Sequence, residues 1–342
     1  MRGGQALVVD GPDTFELVPH LPRPPAHGEA LVHVHAVGIC GSDREIVRGT
    51  RPAGYVRYPV IPGHEWSGTV AAVGAEVPVD LVGRKVVGEG FRNCQRCDRC
   101  RGGETSLCTA GYEETGFTQP GAMAATLTLP ARLLHVLDSD ADLTAATLME
   151  PAACAAAAAM CAGVRPGERV AVVGTGTLGL LTAQLLAATS PAALLAVGRH
   201  PQHAGRAFAF GATEFRLAEN LSDQGEFDVV VEAAGAPGSA AAAAALLRRG
   251  GRLVLTGIPA AGAIGLDPTD LVVRQVQVRT VFGAPPAAWT HAVRAFSAGI
   301  LDSRPLITHR MSLLDFPMAM KLLDSGDPAV GKVLLFPDPA EL

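Results

Sequence analysis

The segment Val170-Ala-Val-Val173-Gly174-Thr-Gly176-Thr-Leu-Gly179 constrains this chain more than any other. A short apolar run leads into a G-x-G-x-x-G turn, and the stretch from Leu178 to Ala188 that follows carries no charge. Strand, glycine turn and helix, in that order, form the setting in which such glycines hold a dinucleotide. They permit the tight turn and let backbone approach the pyrophosphate, and the helix N-terminus faces that anion. Gly174, Thr175, Gly176, Thr177, Leu178 and Gly179 are therefore candidate cofactor contacts. At the end of the next strand an acidic residue would bind the ribose hydroxyls of NAD, but this chain has Val197-Gly198-Arg199-His200. Gly198 removes a carboxylate that would repel a 2′-phosphate, and Arg199 supplies a forked donor, which favours NADP(H).

The pattern around this turn is regular. Strand-like runs recur at Arg169–Val173, Ala193–Val197, Asp228–Val231 and Arg252–Leu255, separated by helical stretches including Ser239–Leu247. Apolar strands alternating with helices predict an α/β architecture, a doubly wound parallel sheet covered on both faces. Before Glu150 the chain is different: rich in Pro and Gly, with short apolar runs such as Ala30–Val37 and Thr69–Val73. It reads as a β-rich domain. An alanine-rich helix, Ala152–Ala162, follows. After about Gly283 the pattern is mixed again, with a helix at Ala287–Ala298 and a closing strand at Lys332–Phe336. These shifts predict one domain from residues 1–150 and 284–342, and a second from 151–283.

At 342 residues the chain is long enough for two domains of roughly 150 each. Its 48% hydrophobic and 18% charged content supports large folded cores. The formal charge of -5 gives no basic field for phosphate backbones or anionic lipid, which argues against nucleic acid as a partner. Lys85, Lys321 and Lys332 are the only lysines among 28 basic residues. This excess of arginine, with the alanine excess, reads as coding bias. Ala171–Val197 has no charge and is long enough to span a bilayer, but Gly174, Gly176, Gly179 and Pro191 interrupt it. A strand, turn and helix explain it better than a membrane segment. Met1–Asp10 reads as a short strand rather than a secretory signal, so a cytoplasmic protein is expected.

The seven cysteines are odd in number, and four of them cluster as Cys94, Cys97, Cys100 and Cys108. That clustering favours a metal over disulfides. Four thiolates in a compact loop match a closed, tetrahedral structural zinc site, with an iron–sulfur cluster as the other four-thiolate occupant. Arg92, Arg96, Arg99 and Arg101 in the same lobe would offset the site's negative charge. A second, dispersed set comprises Cys40-Gly-Ser42-Asp43, then Gly63-His64-Glu65, then Glu150-Pro151. Cys, His and a carboxylate suit a zinc that keeps one position open for water or substrate. Cys154 and Cys161 read as core residues.

These motifs, in this order and over essentially the whole chain, resemble the zinc-dependent medium-chain alcohol and polyol dehydrogenases. The resemblance includes the run Asp228-Val-Val-Val-Glu232-Ala-Ala-Gly235 and the Gly250-Gly251 turn. It implies a GroES-like, β-rich catalytic domain built from both chain ends, plus a Rossmann cofactor domain in which Ala234 also contacts the cofactor. It implies that Cys40 and His64 ligate a catalytic zinc, with Glu65 or Glu150 as third ligand. It further implies that Asp43 orients His64 and that Ser42 begins a proton relay. Glu45 stands where many relatives carry His, so the outer relay would end differently. The resemblance extends to the sorbitol, threonine and aminocyclitol dehydrogenase branch through Gly63-His64-Glu65-Trp66-Ser67-Gly68 and Leu81-Val-Gly-Arg84. Hence a small-molecule polyol or aminocyclitol such as an inosamine is the expected substrate, NADP(H) with two zinc ions the expected cofactors, and a homodimer or homotetramer the expected assembly. A biosynthetic ketone or aldehyde reductase using NADPH, and a non-catalytic NADPH-binding redox sensor, are the alternatives.

Overall fold

A computed structural model describes residues 4–221, 225–259, 262–263 and 265–342. The chain opens with β1 (Gly4–Gly11) and β2 (Thr14–His20), an antiparallel hairpin. β3 (Glu29–Gly38), β4 (Glu65–Val73), β5 (Lys85–Gly88), β6 (Thr126–Pro130) and β7 (Leu134–Val136) follow, then the helix Met149–Ala162. Next come β8 (Arg169–Val173), β9 (Ala193–Gly198), β10 (Glu214–Leu217), β11 (Phe227–Glu232), β12 (Leu247–Leu255) and β13 (Gln277–Thr280). β14 (Ile307–Ser312) and β15 (Lys332–Phe336) close the chain.

Two compact units result. One comprises Met1–Glu150, Pro285–Val293 and Asp302–Leu342; the other comprises Pro151–Ala284 and Arg294–Leu301. The chain leaves the first unit at Glu150, where the composition changes. Its return differs from the expected single crossing at 284, because 294–301 belongs to the second unit. The helix Pro286–Ser297 runs unbroken through that change, and composition carries no mark of where a continuous helix passes from one unit to the other.

In the first unit β3 is the hub. It pairs antiparallel with β4, β6 and β15 in a sheet ordered β14-β15-β3-β4-β5-β7, with β6 added on β3. Its apolar run buries Val32, Val34 and Val37 in a core with Trp66, Leu127, Leu129, Phe316 and Leu335. In the second unit, the described strands form a six-stranded parallel sheet ordered β10-β9-β8-β11-β12-β13. Alternate residues of β8 enter different cores: Ala171 and Val173 on one face, Val170 and Val172 on the other. Burial on both faces explains why these strands are continuously apolar rather than alternating. Strand order reverses between β8 and β11, and doubly wound sheets bind ligands beyond the carboxyl ends of the strands at such a point.

Three details depart from the sequence reading. The helix Ser239–Ala245 stops short of Leu247, which instead begins β12, buried and in register with Phe227. β10 and β13 were not anticipated; β10 is half-buried and mixed in polarity, and β13 is an exposed edge strand, so neither has an apolar run. Among the described residues no helix is long and apolar enough to cross a membrane. The uncharged stretch Ala171–Val197 is divided among β8, the helix Thr177–Ala187 and β9. Leu195, fully buried in β9, tests the second core. Leu195→Ala should lower that unit's stability by about 2–5 kcal/mol. The urea midpoint should fall without a change in slope, and an unchanged midpoint would contradict this packing.

Candidate active site

The ends of β3 and β4 create the first constellation. Their register places Gly38 opposite Glu65, so the chain leaving β3 toward Cys40 runs beside the chain that enters β4 through His64. A Cβ at position 38 would lie 2.5 Å from Glu65 Oε2, so only glycine lets the carboxylate sit there. Past the turn, Cys40 precedes the helix Gly41–Arg48, which carries Ser42 and Asp43. Asp43 is buried and joins both segments. Its Oδ2 accepts the Cys40 amide at 2.8 Å, and its Oδ1 accepts the Gly63 amide at 3.2 Å. The sulfur of Cys40, one imidazole nitrogen of His64 and one carboxylate oxygen of Glu65 all lie within 4.8 Å of one another. Glu150, in the first turn of the helix Met149–Ala162, is outside this group.

The His64 ring is held loosely. Nε2 lies 3.5 Å from Ser42 Oγ, and Nδ1 lies 3.6 Å from Asp43 Oδ1, buried without a hydrogen bond. Phe117 packs on the ring at a centroid distance of 4.7 Å. Burial pulls the His64 pKa down, but the Asp43 carboxylate and the Cys40 sulfur more than offset it, leaving it well above the usual value. A cation entering the group therefore displaces a proton from the ring. Thiolate, imidazole and carboxylate are the donors zinc takes, and their two negative charges match its charge.

Sequence reasoning missed Lys332. It lies in β15, buried, with Nζ donating to Glu65 at 2.6 and 2.8 Å and to the Ile39 carbonyl at 3.2 Å. Burial lowers its pKa, but the Glu65 carboxylate outweighs that and raises it. The raised value keeps Lys332 charged at neutral pH, so the pair's contribution is lost only as pH climbs through that value. A signal was present: lysine at a fully apolar strand, in a chain that otherwise uses arginine, marks a place where a compact ammonium is needed.

The four thiols of Cys94, Cys97, Cys100 and Cys108 also converge. Cys97 precedes the short helix Asp98–Arg101 and accepts the Cys100 amide at 3.5 Å, while Cys108 accepts the Cys94 amide at 3.4 Å. Backbone amides of Thr109 and Cys100 lower the Cys97 pKa to about 5, which favours its thiolate form. The expected charge offset is only partly met within the lobe. Arg99 pairs with Glu104 at 2.7 Å, and Arg92 bonds to Thr115 at 3.1 Å. Arg132, from outside the lobe, donates to the Asn93 carbonyl at 2.7 Å and senses Cys100 and Cys94 electrostatically.

In the second unit the glycine turn follows β8 at the point where strand order reverses. Gly174, at φ +117°, leaves no room for a Cβ, which would meet Ala233 at 2.9 Å; at Gly179 a Cβ would meet the Gly174 carbonyl at 2.0 Å. At Gly176 it would meet nothing within 4 Å, so backbone there is open to an approaching ligand. These are the separate duties of turn, packing and phosphate approach. Thr175 Oγ1 is tied to His203 Nδ1 at 2.8 Å. Thr177 and Leu178 begin the helix Thr177–Ala187. Gly198 is buried at the end of β9 and Arg199 is exposed. Beyond β11, exposed Ala234 sits on a turn held by Glu232, whose buried carboxylate accepts the Ala234 and Gly235 amides, each at 2.8 Å. A carboxylate ending an apolar strand was the available sign of that support.

The Glu65–Lys332 pair gives a direct prediction. Lys332→Met leaves a buried carboxylate alone and should destabilise the metal-free chain by about 3–5 kcal/mol. Zinc at Cys40 and His64 should recover part of that loss by supplying a cation to Glu65. Equal losses in thermal melts with and without zinc would show that Glu65 does not face the metal.

Comparison with known proteins agrees with this geometry. Residues 26–139 match the family described as alcohol dehydrogenase GroES-like domain, and residues 177–298 match zinc-binding dehydrogenase. The chain is 28% identical to sorbitol dehydrogenase of Bacillus subtilis over 323 residues, covering 91% of each chain. It is 29% identical to L-threonine 3-dehydrogenase of Shigella dysenteriae, covering 90% of this chain and 92% of that one. Among solved structures, a putative zinc-binding dehydrogenase of Sinorhizobium meliloti bound to NADP superposes with a TM-score of 0.89 at 26% identity, covering 98% of this chain and 100% of that one. Both halves of the chain, the dispersed Cys–His–Glu group and the glycine turn place it in the zinc-dependent medium-chain alcohol and polyol dehydrogenase family.

Proposed function

We propose that this enzyme oxidises a secondary alcohol of a polyhydroxylated small molecule, a polyol or an aminocyclitol such as an inosamine, to the ketone with NADP+. The observation that carries the reading is the convergence of Cys40, His64 and Glu65, with the Ser42 hydroxyl 3.5 Å from the imidazole. In this reading those three residues hold the catalytic zinc, and Cys94, Cys97, Cys100 and Cys108 hold a second, structural one. When bound, zinc polarises the substrate hydroxyl and the nicotinamide takes the hydride.

The chain's own groups do the rest. Ser42 Oγ stands beside the metal-binding face of His64 and accepts the substrate's hydroxyl proton. Asp43 fixes the backbone on both sides of the site. Lys332 holds Glu65 in place. At the position where a relay imidazole would stand, Glu45 is exposed and paired with Arg51 at 3.2 Å, so the proton leaves Ser42 to water rather than through a second ring. The likeness to sorbitol and threonine dehydrogenases supports a substrate with a heteroatom beside the reacting alcohol. An aminocyclitol offers that arrangement.

The Gly198-Arg199 pair and the NADP-bound relative support NADP(H). Arg199 is exposed, as a residue reaching a 2′-phosphate must be. A charged hydrogen bond of about 1.5–3 kcal/mol makes Arg199→Ala raise KM for NADP+ by roughly 10- to 150-fold, with little change for NAD+. Steady-state assays following reduced nicotinamide, over polyols, amino alcohols, cyclitols and simple secondary alcohols, test both claims. Faster turnover with NAD+ in the unaltered enzyme would overturn the cofactor assignment, and turnover of simple alcohols alone would overturn the substrate class.

A further inference from the structure

We propose that Arg51 is a positioning residue for the catalytic metal site: it clamps Phe117 against the His64 ring and ties that clamp to the segment leaving the four-cysteine lobe. The inference rests on Cys40, His64 and Glu65 being the metal site. The need for a clamp follows from the geometry of His64. Its Nδ1 is buried without a well-formed hydrogen bond, and Ser42 and Asp43 stand at the long distances of 3.5 and 3.6 Å, so packing helps to set the tilt of the ring. Phe117, 2% exposed, supplies that packing at 4.7 Å.

Arg51 in turn fixes Phe117. Its guanidinium carbon sits 4.0 Å from the Phe117 centroid, so the ring that packs on the imidazole is also held by a cation. Each nitrogen of the fork has its own partner. Nε donates to the Tyr55 carbonyl at 3.0 Å, Nη1 to Glu45 at 3.2 Å and Nη2 to the Tyr112 hydroxyl at 3.2 Å. Tyr112 donates to the buried carboxylate of Glu114, whose pKa burial raises. The side chain of Arg51 is only 11% exposed. Coding bias explains arginine on a surface, but not a largely covered guanidinium whose three nitrogens each have a partner and which also lies against a ring. One ammonium cannot make three divergent hydrogen bonds while stacking flat on a ring. Arg51 thereby joins three segments: the helix that carries Ser42 and Asp43, the loop at Tyr55, and the stretch Tyr112–Phe117 that follows Cys108. The four-cysteine lobe, through Tyr112, then bears on the ring packed against His64.

The test uses enzyme with zinc in the four-cysteine lobe and cobalt at the catalytic site, whose visible bands report ligand geometry. Arg51→Met and Phe117→Leu should each shift those bands and lower kcat about ten-fold, with KM changed far less. The double variant should be no worse than either single one, because both act through the same ring. Arg51→Lys should recover only part of the loss. Phe117→Leu carries the test should Arg51→Met fail to fold. Cobalt bands and kcat like those of the unaltered enzyme in these variants, or losses that multiply in the double variant, would overturn the proposal while leaving the metal site intact. Unaltered enzyme with no cobalt–thiolate band would overturn the metal assignment, and this inference with it.

Discussion

The antiparallel register that sets Gly38 against Glu65 is the constraint on which the catalytic arrangement depends. Cys40 lies just past the end of one strand and His64 just before the start of the other, so a single strand pairing turns a sequence separation into a shared site. A slip by one residue would send every side chain of a strand to the opposite face. Glu65 would then leave the group, and Gly38 would no longer give its carboxylate the space it occupies. Apolar burial along β3 and β4 holds that register. Val32, Val34, Val37 and Trp66 belong to one core, and the same pattern that folds the sheet therefore aligns the donors.

Around this register the chain concentrates buried charge. Asp43 and the Glu65–Lys332 pair are each removed from water and satisfied by backbone amides, one another or a neighbouring carbonyl. Such groups add little to stability, since desolvation opposes their attraction. Their value is in geometry. Asp43 is bonded to the backbone of both the Cys40 and the His64 segments and cannot be fully satisfied unless those segments meet. The four-cysteine lobe follows the same logic with a metal's donor set in place of a core: its short helix and 3-10 turn leave little apolar surface to bury.

Much of this was legible in the sequence, and the limits have physical causes. The apolar strands β8, β9 and β11 were readable because burial on both faces makes them continuous runs. β13 was not, because an exposed edge strand needs no apolar residue. The four-cysteine group and the glycine turn are local in sequence, and their short spacing gave them away. Cys40, His64 and Glu65 each looked ordinary alone; donor chemistry grouped them with Glu150, the resemblance gave them roles, and the strand register then brought Cys40, His64 and Glu65 together independently. Lys332 was marked only as an odd lysine in an apolar strand, and the partners of Lys332 and Arg51 lay beyond reach. Each acts on a ligand far away in the chain, and nothing near it in sequence names the partner.

Anomalous diffraction at the zinc edge, from crystals of the zinc-loaded enzyme, tests the central claim most directly. The account predicts a peak bounded by Cys40 Sγ, His64 Nε2 and a Glu65 carboxylate oxygen, separate from a second peak among the four cysteines. A metal peak bounded by Cys40, His64 and Glu150, with Glu65 still held only by Lys332, would contradict it.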